Sequence, residues 1–333
     1  MKKLINAVED ILSESLDGFA AAHGDIVTLG EEHKYLRRRN LTPGKVGLIS
    51  GGGSGHEPLH AGFVGQGMLD AACPGQVFTA PTPDQILGAA QAVDTGAGCL
   101  LIVKNYEGDI MNFEMGAEMA REAGGGEIAT LITDDDVAVE RSTYSTGRRG
   151  VAGTLVVEKI VGAAAEERRD LAELKRLGER VNGQTRSMGV ALSSCTVPAA
   201  GAPTFAIGGD EMEMGVGIHG EPGRRRVKLA SAQAIADEMV QAIVADLAPK
   251  AGAPLLLFVN GFGATPLLEL YLMVEAARKA LTTRGLTIAR FLTGSYVTSL
   301  DMAGCSITVT ALDEETMRLW DAPVRTAALR WGL

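Results

Sequence analysis

Short apolar runs alternate with helical segments between residues 45 and 133, and this alternation restricts the fold more than any other feature of the sequence. The apolar runs lie at 45–50, 77–80, 99–105 and 127–133, and the helical segments at 83–93 and 109–123. The run CLLIVKN, at 99–105, is almost continuously apolar, as expected for a strand buried on both faces. The alternation predicts an α/β fold with a largely parallel or mixed sheet.

Beyond residue 133 the pattern becomes less regular. Two helical segments, 150–167 and 170–183, end the first half. The second half has predicted strands at 187–192, 204–207, 255–260, 288–293 and 306–312, and predicted helices at 231–247 and 266–281. This mixed order, with short connections, indicates an α+β arrangement. We therefore predict two domains, an N-terminal α/β domain at 1–182 and a C-terminal α+β domain at 183–333.

Composition and charge exclude several classes of protein. The 333 residues are 46% hydrophobic and 22% charged, which is enough for a sizeable core, and the net charge of −10 argues against general nucleic-acid binding. No apolar run approaches the roughly 20 residues that span a bilayer. The start, MKKLINAVEDILSESL, has apolar residues at helical spacing and does not resemble a signal peptide. We expect a cytoplasmic protein that contacts neither membrane nor nucleic acid.

The segment LISGGGSGHEP, at 48–58, is the first candidate site. Consecutive glycines after a strand let backbone N–H groups converge on a ligand without interference from Cβ atoms. The nucleotide-binding spacing that ends in Lys-Ser or Lys-Thr is absent, so the segment does not predict a P-loop. His56 ends the glycine-rich segment. A lone histidine is most often structural, but its place beside this loop favours a role in a site.

The segment VKNYEGD, at 103–109, follows the apolar strand and carries Lys104 and Asp109. One interpretation is structural: Asp109 caps the next helix and Lys104 pairs with a surface acid. The other is that the cation and the carboxylate bind a small polyol or carbonyl compound beside His56. Ligands of α/β sheets gather at the carboxyl ends of strands, where the loops that carry His56 and Lys104 are both predicted to lie.

The segment EMGVGIHGEPG, at 213–223, places His219 between Gly217 and Gly220. A histidine that fills a core would not need glycines around it, so the pattern predicts an imidazole presented on a loop.

The acidic run TDDDVAVE, at 133–140, has two interpretations. Clustered carboxylates suit a hard cation, but the spacing and the glycine turn of a calcium loop are missing. We favour a turn at a strand end whose acids cap a helix, and we predict no metal ligands in this chain.

Taken together, these segments and their order resemble the dihydroxyacetone-binding subunits of dihydroxyacetone kinases. The resemblance covers nearly the whole chain. It includes the segments MKKLIN, LISGGGSGHEPLHAGFVGQGMLDAACPGQVFTAPTPDQI, LLIVKNYEGDIMNFE, TDDDVAVERS, GRRGVAGTLVVEKIVGAAAE, CTVPAAG, EMEMGVGIHGEPG, NGFGATPLLELY, SLDMAGCSIT and LWDAPVRTAAL. Each motif is weak alone, whereas their joint order is highly specific. One departure is Ala80, at a position that is often serine in the family.

The resemblance implies a role for each candidate residue. His219 would bind the carbonyl carbon of dihydroxyacetone covalently as a hemiaminal, and His56 would take the proton of the attacking hydroxyl. Asp109 would hydrogen-bond the substrate and assist proton transfer. The remaining substrate-binding residues that the resemblance implies are Gly53, Ser54, Gly55 and Lys104.

The resemblance also implies partners. ATP or ADP and Mg²⁺ would be carried by a separate nucleotide-binding kinase subunit, recharged by a protein of the phosphotransferase system, and the chain itself would bind no cofactor. A homodimer is expected. Two alternatives stay open: a paralogue that senses the ketose and coactivates transcription, and a kinase subunit for a related ketose such as erythrulose.

Overall fold

The computed structural model describes residues 2–139, 147–221 and 223–332. Its helices are α1 (Ile11–Ala22), α2 (Pro83–Val93), α3 (Glu107–Glu122), α4 (Gly153–Glu166), α5 (Leu171–Gly183), α6 (Ala232–Leu247), α7 (Leu267–Thr283) and α8 (Glu314–Asp321). Its strands are β1 (Val27–Leu29), β2 (Leu36–Arg38), β3 (Gly47–Ser54), β4 (Gly65–Gln66), β5 (Ala71–Val77), β6 (Cys99–Lys104), β7 (Ile128–Thr133), β8 (Thr185–Ala191), β9 (Glu211–Met214), β10 (Arg225–Lys228), β11 (Pro254–Gly261), β12 (Thr287–Gly294), β13 (Gly304–Ala311), β14 (Val324–Thr326) and β15 (Arg330–Trp331).

The first sheet has six strands in the order β1-β2-β5-β3-β6-β7. Strand β3 pairs in parallel with β5 and β6, and β6 pairs in parallel with β7, while β1 and β2 add antiparallel pairings at one edge. Every residue of β6 is buried, as its unbroken apolar sequence predicts. The predicted α/β fold with a mixed sheet is confirmed.

The glycine-rich segment is a strand for most of its length. We predicted that the strand ends at Ser50 and that a loop follows, which is wrong, because Gly51 to Gly53 pair with Cys73 to Gly75 of β5. A Cβ atom on Gly51 would lie 2.5 Å from the Cys73 carbonyl oxygen, so the glycines let the two backbones approach closely.

Three other predicted elements are displaced. Strand β5 precedes the predicted strand at 77–80, because Phe78, with φ at 56°, leaves the extended conformation. No strand forms at 204–207; the strands of that region are β9 and β10. The first helix begins at Ile11, later than the apolar spacing from Leu4 indicates.

The second sheet is mixed, in the order β10-β9-β8-β13-β11-β12, with α6 and α7 packed against it. A third sheet, β15-β14-β4, pairs the end of the chain with the N-terminal half. The core that contains Leu59 also contains Phe258 and Trp320. The contacts of the last residues therefore extend across the predicted division at residue 182, and that division stays a prediction.

No helix in the described part of the chain combines the length and the apolar character needed to cross a membrane.

Candidate active site at the meeting of the two halves

A cleft of about 590 Å³ opens where β3 and β6 end and α3 begins, facing the loop that follows β9. It is lined by Gly53, Phe78, Ala80, Tyr106, Glu107, Gly108, Asp109, Thr204, His219, Gly220 and Glu221. The carboxyl ends of parallel strands are the expected place for a ligand in such a sheet. Here a loop of the second half forms the opposite wall.

His219 is fixed in this cleft by Glu221. One carboxylate oxygen lies 2.9 Å from Nδ1 of the imidazole, and the other accepts the backbone N–H of His219 at 3.0 Å. Gly217 makes room for this contact, because a Cβ atom there would lie 1.9 Å from Glu221 Oε2. Burial alone would raise the pKa of Glu221, but the adjacent His219 lowers it to about 2. Glu221 thus holds Nδ1, which leaves Nε2 of His219 available to a ligand.

Three rings surround the His219 imidazole and restrict its rotation. Tyr106, Phe78 and His56 lie with ring centroids 4.7, 5.2 and 4.6 Å away, all nearly perpendicular to it. These edge-to-face contacts are favourable geometries for aromatic pairs. Since Phe78 and Tyr106 also line the cleft, they form an apolar wall beside Nε2 of His219.

His56 lies behind this wall and is almost completely buried. Its Nδ1 is 2.7 Å from the carbonyl oxygen of Thr298, and since a carbonyl only accepts, Nδ1 carries the proton. Its Nε2 has no hydrogen-bond partner among the described residues. Burial, with the nearby His219 and Lys104, lowers the pKa of His56 well below its ordinary value. The result is a neutral imidazole with a free lone pair, as a general base requires.

Lys104 and Asp109 form a buried ion pair beside the cleft, with Nζ and Oδ2 3.6 Å apart. Lys104 ends β6, and Asp109 lies in the first turn of α3, whose N-cap residue is Tyr106. Asp109 is therefore not the N-cap, contrary to the structural interpretation. Burial raises the pKa of Asp109, while Lys104 opposes that shift. Asp109 lines the cleft, whereas Lys104 lies beneath it.

Residues 17–328 match the family model described as the Dak1 domain. The chain belongs to the Dak1 family. The resemblance found in the sequence is thereby confirmed.

Named relatives of this Dak1 chain agree with that assignment. It is 49% identical over 329 residues to the Listeria innocua PTS-dependent dihydroxyacetone kinase 1, dihydroxyacetone-binding subunit DhaK, covering 98% of this chain and 100% of the relative. The crystal structure of the dihydroxyacetone kinase of C. freundii superposes with a TM-score of 0.89 and 35% identity, over 99% of this chain and 60% of that one. The dihydroxyacetone kinase operon co-activator Dha-DhaQ superposes with a TM-score of 0.88 and 34% identity, over 95% and 96% of the two chains.

The glycine-rich segment of this Dak1 domain supports the site in different ways. Gly53 lines the cleft, and a Cβ atom there would lie 2.6 Å from the backbone nitrogen of Thr79. The Ser54 hydroxyl donates to the Gly75 carbonyl at 2.7 Å, and the Gly55 N–H donates to the Glu57 carboxylate. Substrate contacts from Ser54 and Gly55 stay predictions, since these groups are already engaged within the protein.

Within the described residues, two aspartates of the acidic run make structural contacts. Asp135 accepts the backbone N–H groups of Val151 and Gly153 at the start of α4, and Asp136 pairs with Arg149. Glu140 of this run, the Arg141 and Ser142 that follow it, and Pro222 of the His219 loop lie outside the described residues. Within 2–139, 147–221 and 223–332, no group of three or more His, Cys, Asp or Glu side chains is arranged to hold a metal ion.

Sequence analysis missed three residues that shape the site. Glu221 follows His219 by two positions, and an acidic residue so close to a histidine in a loop could have predicted a contact between the two side chains. His60, in the segment HEPLH, contacts Lys104 and was missed although histidine is rare in this chain. Thr298, which orients His56, had no signal, because a backbone carbonyl can come from any residue.

Proposed function

We propose that this chain is the dihydroxyacetone-binding subunit of a dihydroxyacetone kinase. The observation that carries the proposal is the pairing of two differently prepared histidines at one cleft. Nδ1 of His219 is engaged by Glu221, which leaves Nε2 available, while His56 is a buried neutral imidazole whose Nε2 has no partner among the residues that the structure describes. The near full-length identity to a separate dihydroxyacetone-binding subunit supports the same substrate.

The first step is capture of the ketone. Nε2 of His219 attacks the carbonyl carbon, a C–N bond forms, and the carbonyl π bond breaks. The ring becomes positively charged and the oxygen negatively charged, and the Glu221 carboxylate stabilises the charged ring through its hydrogen bond with Nδ1–H. The Nδ1 proton then passes by way of Glu221 and solvent water to the former carbonyl oxygen, so the hemiaminal is neutral and Glu221 ends as a carboxylate. Glycerol has no carbonyl group and is rejected at this step. A covalent anchor suits a substrate that offers few contacts, because positioning can lower a barrier by about 7–11 kcal/mol.

The second step is phosphoryl transfer to a terminal hydroxyl of the captured ketose. His56 Nε2 takes the hydroxyl proton as the hydroxyl oxygen attacks the terminal phosphoryl group of the nucleotide. The bond from that phosphorus to the bridging oxygen breaks, and the nucleoside diphosphate leaves. Asp109 and Lys104 hydrogen-bond the substrate hydroxyls, and Asp109 assists the proton transfer. In a site without its ligand, catalytic hydrogen bonds are often long and shorten only when the ligand binds. The position of His56 behind the cleft wall is consistent with such a change.

The nucleotide and Mg²⁺ belong, in this proposal, to a separate kinase subunit that docks over the cleft. The match covers only 60% of the C. freundii kinase, whose chain therefore contains additional sequence. The Listeria relative is called PTS-dependent, which supports recharging of the partner by a phosphotransferase-system protein in the cytoplasm.

We also propose a homodimer. Four large apolar side chains of α7, namely Leu267, Leu268, Tyr271 and Leu272, are exposed, as is Phe291 of strand β12. An exposed apolar patch of this kind is typical of a protein interface. Light scattering of the wild type and of Leu268→Glu tests this: a wild-type monomer, or a dimer unaffected by the variant, refutes this patch as the interface.

The decisive experiment mixes the purified chain with dihydroxyacetone, Mg²⁺ and the nucleotide-loaded kinase subunit of a phosphotransferase-dependent system. Formation of dihydroxyacetone phosphate is expected, with erythrulose as the second substrate and glycerol as the negative control. Ketone binding without phosphorylation, under conditions where a homologous subunit is active, would refute the kinase function.

Ketose sensing with coactivation of transcription is the second candidate, favoured by the superposition on Dha-DhaQ. A sensor needs the ketone-binding His219 but has no use for a base. The neutral His56, whose Nε2 has no hydrogen-bond partner in the described part of the chain, therefore favours the kinase.

A further inference from the structure

Behind the cleft, Lys104 continues into a buried chain of polar groups that the proposed reaction does not use. Lys104 Nζ lies 2.9 Å from His60 Nε2, and His60 Nδ1 lies 2.6 Å from Glu158 Oε1. Glu158 is in α4, 98 residues along the chain from His60, and its side chain is fully buried. The order Asp109–Lys104–His60–Glu158 thus runs from the cleft to the protein interior.

The donors and acceptors of this chain fit only one arrangement. Lysine has donors and no acceptor, so the contact with Lys104 requires His60 Nε2 to be unprotonated. Nδ1 then carries the proton and donates it to Glu158. Burial, together with Lys104 and His56, lowers the pKa of His60 well below its ordinary value, which keeps the ring neutral. Burial also raises the pKa of Glu158 to about 8, and a protonated carboxyl can still accept at Oε1.

Stability alone does not explain why these groups are buried. A buried polar chain is often no more stable than apolar residues of similar volume, and one carboxyl oxygen of Glu158 has no hydrogen-bond partner among the described residues. The backbone is also adapted to Lys104, because a Cβ atom on Gly52 would lie 2.2 Å from Nζ. Nζ also donates a hydrogen bond to the Gly51 carbonyl oxygen, at 3.1 Å. The orientation of the Lys104 ammonium group is thus set by His60, by the Gly51 carbonyl oxygen and by the space that Gly52 leaves.

We propose that His60 and Glu158 are positioning residues of the site: Glu158 fixes the His60 tautomer, and His60 holds the Lys104 ammonium group against Asp109. Lys104 then keeps a defined direction toward the substrate hydroxyls. This inference rests on the proposed binding of a ketose in the adjacent cleft.

The test compares two substitutions of Glu158 that differ in one property. Glu158→Gln retains an acceptor for His60 Nδ1–H, whereas Glu158→Leu removes it. For the leucine variant we expect kcat/KM for dihydroxyacetone to fall by about 10- to 100-fold, mainly because KM rises. This is the range for the loss of one hydrogen bond to a charged group. For the glutamine variant we expect kcat/KM to stay within about threefold of wild type. His60→Phe should resemble Glu158→Leu.

Lys159→Met is the matched control. Lys159 is the next residue of α4 and is also buried, but it donates to the Leu319 carbonyl and lies over Trp331. This variant is expected to change stability and leave KM unaltered. Equal KM in the glutamine and leucine variants, or a rise in KM in Lys159→Met as large as that in Glu158→Leu, would overturn the proposal.

A second readout is independent of catalysis. Imidazole ¹⁵N spectra of the free protein report the His60 tautomer. We expect protonation at Nδ1 in the wild type and in Glu158→Gln, and a mixture of tautomers in Glu158→Leu. If the wild type fails to phosphorylate any ketose, the proposed function fails while this tautomer result still stands. A wild-type His60 protonated at Nε2, or charged at neutral pH, would refute the positioning role.

Discussion

The imidazole rings of His56 and His219 meet edge to face with their centroids 4.6 Å apart, although one follows strand β3 and the other lies in the loop after β9. Their environments differ: His56 is buried against Phe78, whereas the His219 side chain is 20% exposed and held by Glu221. These different environments suit the different roles that we propose for the two rings, proton transfer for the buried ring and bond formation for the exposed one.

Replacing His56 separates these steps. His56→Asn should lower the phosphorylation rate by about 10²–10⁴-fold, because the base is lost, while ketone binding persists. Steady-state kinetics and ¹³C spectra of dihydroxyacetone labelled at C2 measure the two effects; a hemiaminal moves the carbonyl carbon resonance to that of a saturated carbon. His33→Asn is the control, since that ring contacts Asp17 at the surface. Full activity of His56→Asn would refute its role as the base.

Glu221 should govern ketone capture. Glu221→Gln removes the negative charge that faces Nδ1–H and stabilises the ring when it becomes positive, so the ketone affinity should fall about tenfold, the scale of a charge-assisted hydrogen bond. The same ¹³C signal, titrated with the ketone, measures it. Glu107→Gln makes the same change elsewhere in the cleft and should bind normally. Equal losses in both variants would indicate a general effect of charge.

Gly52 should be intolerant of a methyl group. In Gly52→Ala the new Cβ would collide with Lys104 Nζ, so the ammonium group must move away from His60 and Asp109. We expect at least a tenfold rise in KM for the ketose, from the loss of one hydrogen bond to a charged group. Gly18→Ala is the matched control because a Cβ atom there meets nothing within 4 Å. An unchanged KM in Gly52→Ala would contradict the placement of Lys104.

The buried neutral His56 should make stability depend on pH. Burial, His219 and Lys104 lower its folded-state pKa below 6.5, so only the unfolded chain binds this proton as the pH falls through 6.5. The wild type should lose up to about 1.4 kcal/mol per pH unit more than His56→Asn below pH 6.5. Urea unfolding of both proteins at pH 7.5, 6.0 and 5.0 gives the difference between their free energies of unfolding. The contributions of titratable groups that both proteins share cancel in this difference. Parallel pH profiles would show that folding does not lower the pKa of His56 and would contradict a neutral buried ring.

Local sequence determined the elements whose pattern lies within a few residues. Helix α2 occupies the predicted 83–93, because Thr82 and Pro83 mark its start and its apolar spacing is regular. Strand β6 was predicted because its apolar run is continuous. The histidines and the Lys104–Asp109 segment were found because glycine turns and charges at strand ends are local signals too.

Tertiary structure decided how those side chains are aimed. Whether three glycines form a loop or a strand depended on the backbone of β5, which is hydrogen-bonded beside them. The tautomer of His56 depends on the Thr298 carbonyl, 242 residues further along the chain, and that of His60 depends on Glu158, 98 residues away. The sequence alone pointed to the candidate site residues, but their protonation and orientation come from burial and from partners that only folding brings within hydrogen-bond distance.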